Sequence, residues 1–358
     1  MALEDQLWQI AAREVSAGRK CVLCSVVWGT GSVPREEGAR MLLGESGLLA
    51  GTVGGGCGES EVLVHARKVI AGFHAGGVVD VDLSGDFDQD EIQVCGGRMR
   101  VSVESLDAQD QALLDQLAQA EQGGAGALLI SRLPRSNDDS GERYALALDA
   151  QGKIDWDSVA PSARAKIPQE LAEAARNAAL AQLGKHEESE WLAAVIGRLE
   201  ELIIVGSGHV AQPLAAMAAM LSFRITVIDD RPSYVTPERF PQASKLLVGK
   251  HDDLLRELAP GDRASVVIIT RGHQHDEASL RAAVNFPCRY VGMIGSKRRA
   301  IQTVKRLGEE GADKDRLAHV HTPIGLDIGA QTPEEIALAI LAEITAVRRG
   351  GSGMMLKR

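Results

Sequence analysis

Apolar and polar positions follow two rhythms along the chain, one of period two and one near 3.6, and the points where they change predict the elements. Leu3, Leu7, Ile10 and Ala11, with Trp8 beside them, recur at helical spacing and predict an amphipathic opening helix. Residues 21–28 are a β-branched apolar run of buried-strand length. Gly29, Gly31, Pro34 and Gly38 break that run. Apolar segments at 39–43 and 48–53, joined by Gly44-Glu45-Ser46-Gly47, then predict a hairpin. The chain next enters Gly54-Gly55-Gly56-Cys57-Gly58, after which Val62, Ala66, Val69 and Ile70 recur with helical spacing across 59–73. The glycine run therefore sits at a helix N-terminus. Residues 78–83 and 98–104 alternate as strands do, with Cys95-Gly96-Gly97 just before the second.

Residues 107–190 read as a helix, a strand at 127–132, a polar loop at 134–143, a hairpin around Gln151-Gly152 and an alanine-rich helix from about 161 to 183. The charged stretch 185–190 reads as a connector, and no pattern in this segment points to catalysis. From Leu199 onward the rhythm changes. Strand candidates at 202–205, 225–228, 266–270, 290–294 and 320–322 alternate with helices, which predicts a parallel sheet covered by helices. The uncharged stretch 202–223 is as long as a bilayer span. Gly206, Ser207, Gly208, His209, Gln212 and Pro213 interrupt it, so strand, loop and helix are expected instead. Thr332, Pro333 and Glu335 form a capping box with proline in the first turn, ahead of Ile336, Ile340, Leu341 and Ile344.

Composition narrows the partners. With 39 Lys and Arg against 49 Asp and Glu, the chain lacks the basic footprint that phosphate-backbone binding requires, so nucleic acid is not an expected partner. At 45% hydrophobic and 25% charged residues, a soluble globular protein is expected and disorder is not. The 38 glycines among 358 residues exceed the usual ~7% and point to loops that approach something closely. Five scattered cysteines cannot staple a chain of this length, and Met1-Ala2-Leu3-Glu4-Asp5 does not resemble a secretion signal. A cytoplasmic protein is the expectation.

Candidate chemistry concentrates after Leu199. Gly206-Ser207-Gly208-His209-Val210-Ala211 follows a strand and opens a helix, and Asp229 and Asp230 end the next strand about 20 residues further on. Gly206 allows the tight turn, Gly208 removes a side chain that would block a pyrophosphate, and the helix N-terminus offers free N–H groups. The acidic strand end would accept hydrogen bonds from a ribose. Pro213 falls early in the helix, where it could remove a backbone bond. The simpler alternative is that the glycines serve only the turn. Gly295-Ser296-Lys297-Arg298-Arg299 offers a second anion cradle at a helix start, where solvated cations alone would oppose the dipole. In Thr270-Arg271-Gly272-His273-Gln274-His275-Asp276, two histidines and a carboxylate could hold a metal. A polar turn capping a helix that Asp276 begins is the preferred reading. Asp327 follows the last strand candidate and faces the same crevice.

In the N-terminal half, the helix start beside Cys57 would favour its thiolate. That thiolate suits sulfur transfer, soft-metal ligation or cofactor cradling, and Cys95, next to another glycine pair, is the second candidate metal ligand. Either can equally be a small buried residue. Cys21 and Cys24, three apart in one strand, point to opposite faces and read as core.

Together these motifs resemble the XdhC/CoxI family. Its N-terminal pattern matches Gly31-Ser32-Val33-Pro34-Arg35, then Gly38-Ala39-Arg40-Met41, then Gly51-Thr52-Val53-Gly54-Gly55-Gly56-Cys57 with Glu59. Its C-terminal Rossmann domain matches, in order, Gly206-Ser207-Gly208-His209-Val210, Asp229-Asp230-Arg231, Thr270-Arg271-Gly272-His273 with Asp276, Ile294-Gly295-Ser296-Lys297 and Pro323-Ile324-Gly325-Leu326-Asp327. Val33 stands where Thr is expected, Ala211 replaces a third glycine, and His275 is additional. The match spans about 10–105 and 199–349. The expected fold is thus α/β: an N-terminal α/β domain (1–106), a middle α/β segment packing with it (107–190), and a C-terminal Rossmann-like doubly wound parallel sheet (199–349).

The resemblance implies a cytoplasmic, homodimeric accessory protein for xanthine dehydrogenase or a related molybdenum hydroxylase. Such a protein binds molybdenum cofactor, supports its sulfuration with a cysteine desulfurase and delivers it to the apoenzyme. Cofactor-binding residues would be Gly54, Gly55, Gly56, Cys57 and Cys95 in the first half. In the second half they would be Gly206, Gly208, His209, Asp229, Asp230, His273, Ser296, Lys297 and Asp327. The rival from another class is an NAD(P)-dependent oxidoreductase, disfavoured because no general acid or base stands out beyond the crevice. A nucleotide sensor without chemistry is the third.

Overall fold

The computed structural model describes residues 6–83, 96–122, 126–149, 152–176, 178 and 180–355, and the chain divides into two compact units, Met1–Arg198 and Leu199–Arg358. In the first unit, β1 (Cys21–Thr30), β2 (Arg40–Gly44), β3 (Gly47–Gly51), β4 (Gly76–Asp82) and β5 (Arg98–Leu106) form an antiparallel sheet of order β3-β2-β1-β5-β4. Alternation along β1 sends Cys21 and Leu23 to one face, against α1 (Leu7–Ser16), and Val22, Cys24 and Val26 to the other, against α2 (Gly56–Ile70). A sheet buried on both faces needs apolar residues at every position, which is why β1 reads as a continuous run. Gly58 lets α2 lie flat on the sheet, since a Cβ there would come within 2.8 Å of Leu83 and 2.9 Å of Val81.

A second antiparallel sheet in this unit, of order β7-β6-β9-β8, comprises β6 (Ala127–Arg132), β7 (Glu142–Ala147), β8 (Gln182–His186) and β9 (Ser189–Ile196). One face shares a core with α1 and α3 (Gln111–Glu121); the other is covered by α5 (Gln169–Ala175), which follows the one-turn α4 (Pro161–Arg164). Here the sequence expectations need correction. The single helix expected from 161 to 183 is cut at Pro168, which lacks the N–H a helix interior uses. Beyond Ala175 the chain turns into β8. The expected connector 185–190 is a tight hairpin in which Lys185 faces Glu190 and Glu187 takes a positive φ of 53°. The hairpin expected around Gln151-Gly152 shrinks to one bridge, Leu148 with Ile154, and Gln151 lies outside the described residues. Arg143 joins the two sheets, donating from β7 to Glu104 on β5 at 3.0 Å and to Asp110 at 3.0 Å.

The second unit is a six-stranded parallel sheet: β10 (Glu201–Val205), β11 (Arg224–Asp229), β12 (Lys245–Val248), β13 (Ala264–Ile268), β14 (Tyr290–Met293) and β15 (Val320–His321). The spatial order is β12-β11-β10-β13-β14-β15, the third, second, first, fourth, fifth and sixth strands of the unit. That is the doubly wound order of dinucleotide-binding sheets, and the unit is Rossmann-like. Leu202 and Ile204 of β10 pack beneath α6 (Ala211–Met220) and α11 (Pro333–Arg349), while Ile203 and Val205 face α7 (His251–Leu258), α8 (His273–Ala283) and α9 (Lys297–Glu309). Leu317 of α10 (Lys314–Ala318) joins that second core. The stretch 202–223 resolves into β10, a loop and α6, and among the described residues no helix is long and apolar enough to cross a membrane. The capping box of α11 forms as expected, with Glu335 N–H donating to Thr332 Oγ1 at 3.2 Å and Thr332 N–H to Glu335 Oε2 at 3.0 Å.

Candidate functional site at the carboxyl edge of the parallel sheet

Because all six strands run parallel, the segments that follow β10, β11, β13, β14 and β15 emerge at one edge. The topology thereby gathers the glycine loop, Asp229-Asp230-Arg231, the 270–276 turn, Ser296 and the 322–327 segment, which are scattered over more than a hundred residues of sequence. Ligands of open α/β sheets bind at this edge.

The two glycines of the first loop have different reasons to be there. Gly206 has φ +108°, and a Cβ on it would lie 2.5 Å from the carbonyl oxygen of Ile269, so the fold demands glycine at that position with or without a ligand. A Cβ on Gly208 would meet nothing within 4 Å, leaving open space above the loop. Pro213 proves harmless. It is the third residue of α6, where the N–H would lack an intrahelical partner in any case. His209 is exposed and, with Gln212, Arg239 and Pro333, lines a groove of about 550 Å³.

Asp229 is buried at the end of β11, and both of its oxygens are taken by the protein. Oδ2 accepts from Ser207 N–H and Ser207 Oγ, each at 2.8 Å, and from Arg231 Nη2 at 2.9 Å. Oδ1 accepts from Arg231 N–H at 3.0 Å and Arg231 Nε at 2.8 Å. Burial alone would raise this carboxyl's pKa, but the hydrogen bonds from Arg231 and Ser207 outweigh it and hold the group well below the usual carboxylate range. Arg231 also lies over the ring of Tyr234, 3.8 Å from its centroid. Asp230 is exposed, with Arg271 at 3.4 Å.

The turn after β13 differs from its expected form. Helix α8 starts at His273, three residues before the expected Asp276; Gly272 caps it, and the buried Asp276 accepts a 2.6 Å bond from Thr270 Oγ1. Ser296 caps α9 and Lys297 is its first residue, while Asp327 is exposed beyond β15. The side chains of His273 and Lys297 lie outside the described residues. In the first unit, Gly55 caps α2, with its N–H donating to Glu59 Oε2 at 3.1 Å; Glu59 also accepts from Thr52 Oγ1 at 2.5 Å. Gly56 and Cys57 are the first two residues of α2, and the Cys57 side chain lies outside the described residues, as does all of Cys95. A Cβ on Gly54 would lie 2.6 Å from Pro34, which brings two of the motif segments into contact.

One residue of the edge escaped the sequence reading. His251, the first residue of α7, is only 4% exposed, and neither ring nitrogen has a hydrogen-bond partner among the described residues. Burial pushes its imidazole pKa below the ordinary value.

Residues 202–344 match the XdhC Rossmann domain, and residues 15–82 match the XdhC and CoxI family. A probable xanthine dehydrogenase subunit from Bacillus subtilis (strain 168) is 26% identical over 336 residues, covering 92% of this chain and 94% of that one. The molybdenum cofactor insertion chaperone PaoD of Escherichia coli (strain K12) is 22% identical over 340 residues, 95% of this chain and 87% of PaoD. The uncharacterized protein YqeB of the same strain is 34% identical over 164 residues, 46% of this chain, and that match spans only 30% of YqeB. A xanthine dehydrogenase crystal structure from Bacillus halodurans superposes with a TM-score of 0.72 at 28% identity, covering 98% of this chain and 96% of that one. With residues 15–82 and 202–344 both matched and a relative aligned over 92% of its length, the chain belongs to the XdhC and CoxI family.

Proposed function

We propose that this chain is an accessory protein of xanthine dehydrogenase or a related molybdenum hydroxylase, which binds molybdenum cofactor as cargo and passes it to the apoenzyme. The observation that carries this reading is the end-to-end match to PaoD, a molybdenum cofactor insertion chaperone, and to the probable xanthine dehydrogenase subunit from Bacillus subtilis. The carboxyl edge suits such cargo chemically. The cofactor is an anionic pterin with a phosphate or dinucleotide tail, and open space at Gly208 beside the N-terminus of α6 is where an anion gains free N–H groups and positive dipole. Gly206, Gly208, His209, Asp230, His273, Ser296, Lys297 and Asp327 are the residues assigned to it there, with Asp229 holding the loop.

In the first unit, Gly54, Gly55, Gly56 and Cys57 are assigned to the cofactor's metal end, with Cys95 as second thiol. A thiol at a helix start suits sulfuration together with a cysteine desulfurase. The working division is 1–106, 107–190 and 199–349, acting as a homodimer in the cytoplasm. A nicotinamide oxidoreductase is the second reading, disfavoured because no general acid or base stands out in the sequence beyond the crevice.

The test is to purify the protein without denaturation from cells making molybdenum cofactor, identify any released pterin by mass spectrometry, and mix the protein with cofactor-free xanthine dehydrogenase. Recovered pterin and restored hydroxylase activity are expected. Bound NAD(P) in place of pterin, or no activation, would overturn the reading.

A further inference from the structure

Asp229, Asp230 and His251 each present one ligand atom, and these atoms all lie within 4.8 Å of one another. Two of the three are fixed by the end of β11; the third comes from the start of α7, beyond the edge strand β12. Carboxylates near a surface are common, but His251 is not explained by the fold. It is buried, its ring nitrogens are donor and acceptor groups, and neither finds a hydrogen-bond partner among the described residues. A buried polar group without a partner is destabilising, so such a group in a native structure asks for a ligand. Here the histidine carries its nitrogen toward two carboxylates.

We infer that Asp229, Asp230 and His251 form a site for a single divalent cation, which adjoins the cargo site proposed above and shares Asp230 with it. One imidazole nitrogen with two carboxylate oxygens is a mixed set for borderline ions such as Zn²⁺, Co²⁺, Mn²⁺ or Fe²⁺. Mg²⁺ and Ca²⁺ favour oxygen alone, and soft Cu⁺ favours sulfur. The surroundings set the affinity. Arg231 is bound to Asp229 and lies 3.9 Å from Asp230, while Arg271 lies 3.4 Å from Asp230. These guanidinium charges compete with an incoming cation, and Arg271, more than half exposed, is the one free to swing away. His275 meets His251 edge-on with ring centroids 5.1 Å apart and stands exposed beside the site.

Cobalt(II) tests the site, because its visible absorption reports ligand number and type. The full chain, stripped with chelator, should take up one Co²⁺ with a visible band and melt at a higher temperature when loaded. His251→Phe should fold at least as stably, since it removes an unpartnered polar group, yet bind Co²⁺ at least about tenfold more weakly. Asp230→Asn, isosteric and at the surface, should weaken binding likewise, and Arg271→Ala should tighten it. If His251→Phe fails to fold, the last two variants carry the test. Absence of a visible band would overturn the proposal, as would affinity unchanged in Asp230→Asn. So would near-ultraviolet thiolate charge-transfer absorption, which would place the ion on cysteine.

Discussion

Ser207 and Asp229 stand 22 residues apart, yet the amide and the hydroxyl of Ser207 both donate to the same oxygen of Asp229, each at 2.8 Å. The glycine loop after β10 is thus pinned to the end of β11 by a carboxylate that Arg231 braces from the other side. Removing the carboxylate leaves a buried N–H, a buried hydroxyl and a guanidinium without their acceptor. Asp229→Ala is therefore expected to lower stability by about 1–3 kcal/mol, measured as a reduced urea midpoint with unchanged slope. An unaltered midpoint would mean that the clamp is not stabilising.

The same carboxylate makes stability depend on pH in a defined direction. Its pKa is depressed in the folded state, so its contribution is complete above the unfolded value of about 3.9 and fades as pH falls toward the folded value. The stability difference between wild type and Asp229→Asn should be flat from about pH 5 to 8 and shrink below about pH 4. Denaturation series at each pH would show this, and a difference that grew on acidification would contradict it.

Substitutions at the two loop glycines should separate folding from binding. Gly206→Ala forces a Cβ against the Ile269 carbonyl at a positive φ, and is expected to cost at least about 1–3 kcal/mol. Gly208→Val has open space for its Cβ and should fold normally while losing the phosphate-bearing ligand, read by calorimetry or by pterin content after purification. Equal affinity in Gly208→Val would remove the loop from binding.

Thiol reactivity should follow burial. Burial raises Cys21 to about 11 and Cys288 to about 12, and raises Cys24 as well, so none carries appreciable thiolate near neutral pH. Cys57, at the start of α2, is expected to react first with iodoacetamide, and bound cofactor should protect it. Cys57→Ser should fold yet fail to support activation of a co-expressed hydroxylase. Peptide mapping after timed alkylation decides the matter, and faster labelling of Cys21 or Cys24 would contradict it.

How much of this was legible beforehand depends on whether the signal was local. The β10 loop, the acidic end of β11 and the α11 capping box were readable because a few adjacent residues determine each. Strand β12 was missed because Lys245–Val248 is four residues at the sheet edge, with Lys245 and Val248 exposed, so little alternation marks it. The alanine-rich tract misled in a different way. Alanine favours helix, but Pro168 ends one, and β8 exists only because β9 pairs with it across a two-residue turn. His251 gave no sequence signal at all. Its significance lies in two carboxylates about twenty residues away, brought near by the crossover that β12 makes.

The close contact between Gly206 and the Ile269-Thr270 backbone has a mechanical consequence. Two loops that would otherwise fluctuate independently, one leading into α6 and one into α8, are wedged together without intervening side chains. Neither can open without displacing the other, so the entropy of ordering both loops is met once, during folding, and the rim of the crevice has its shape before anything approaches it.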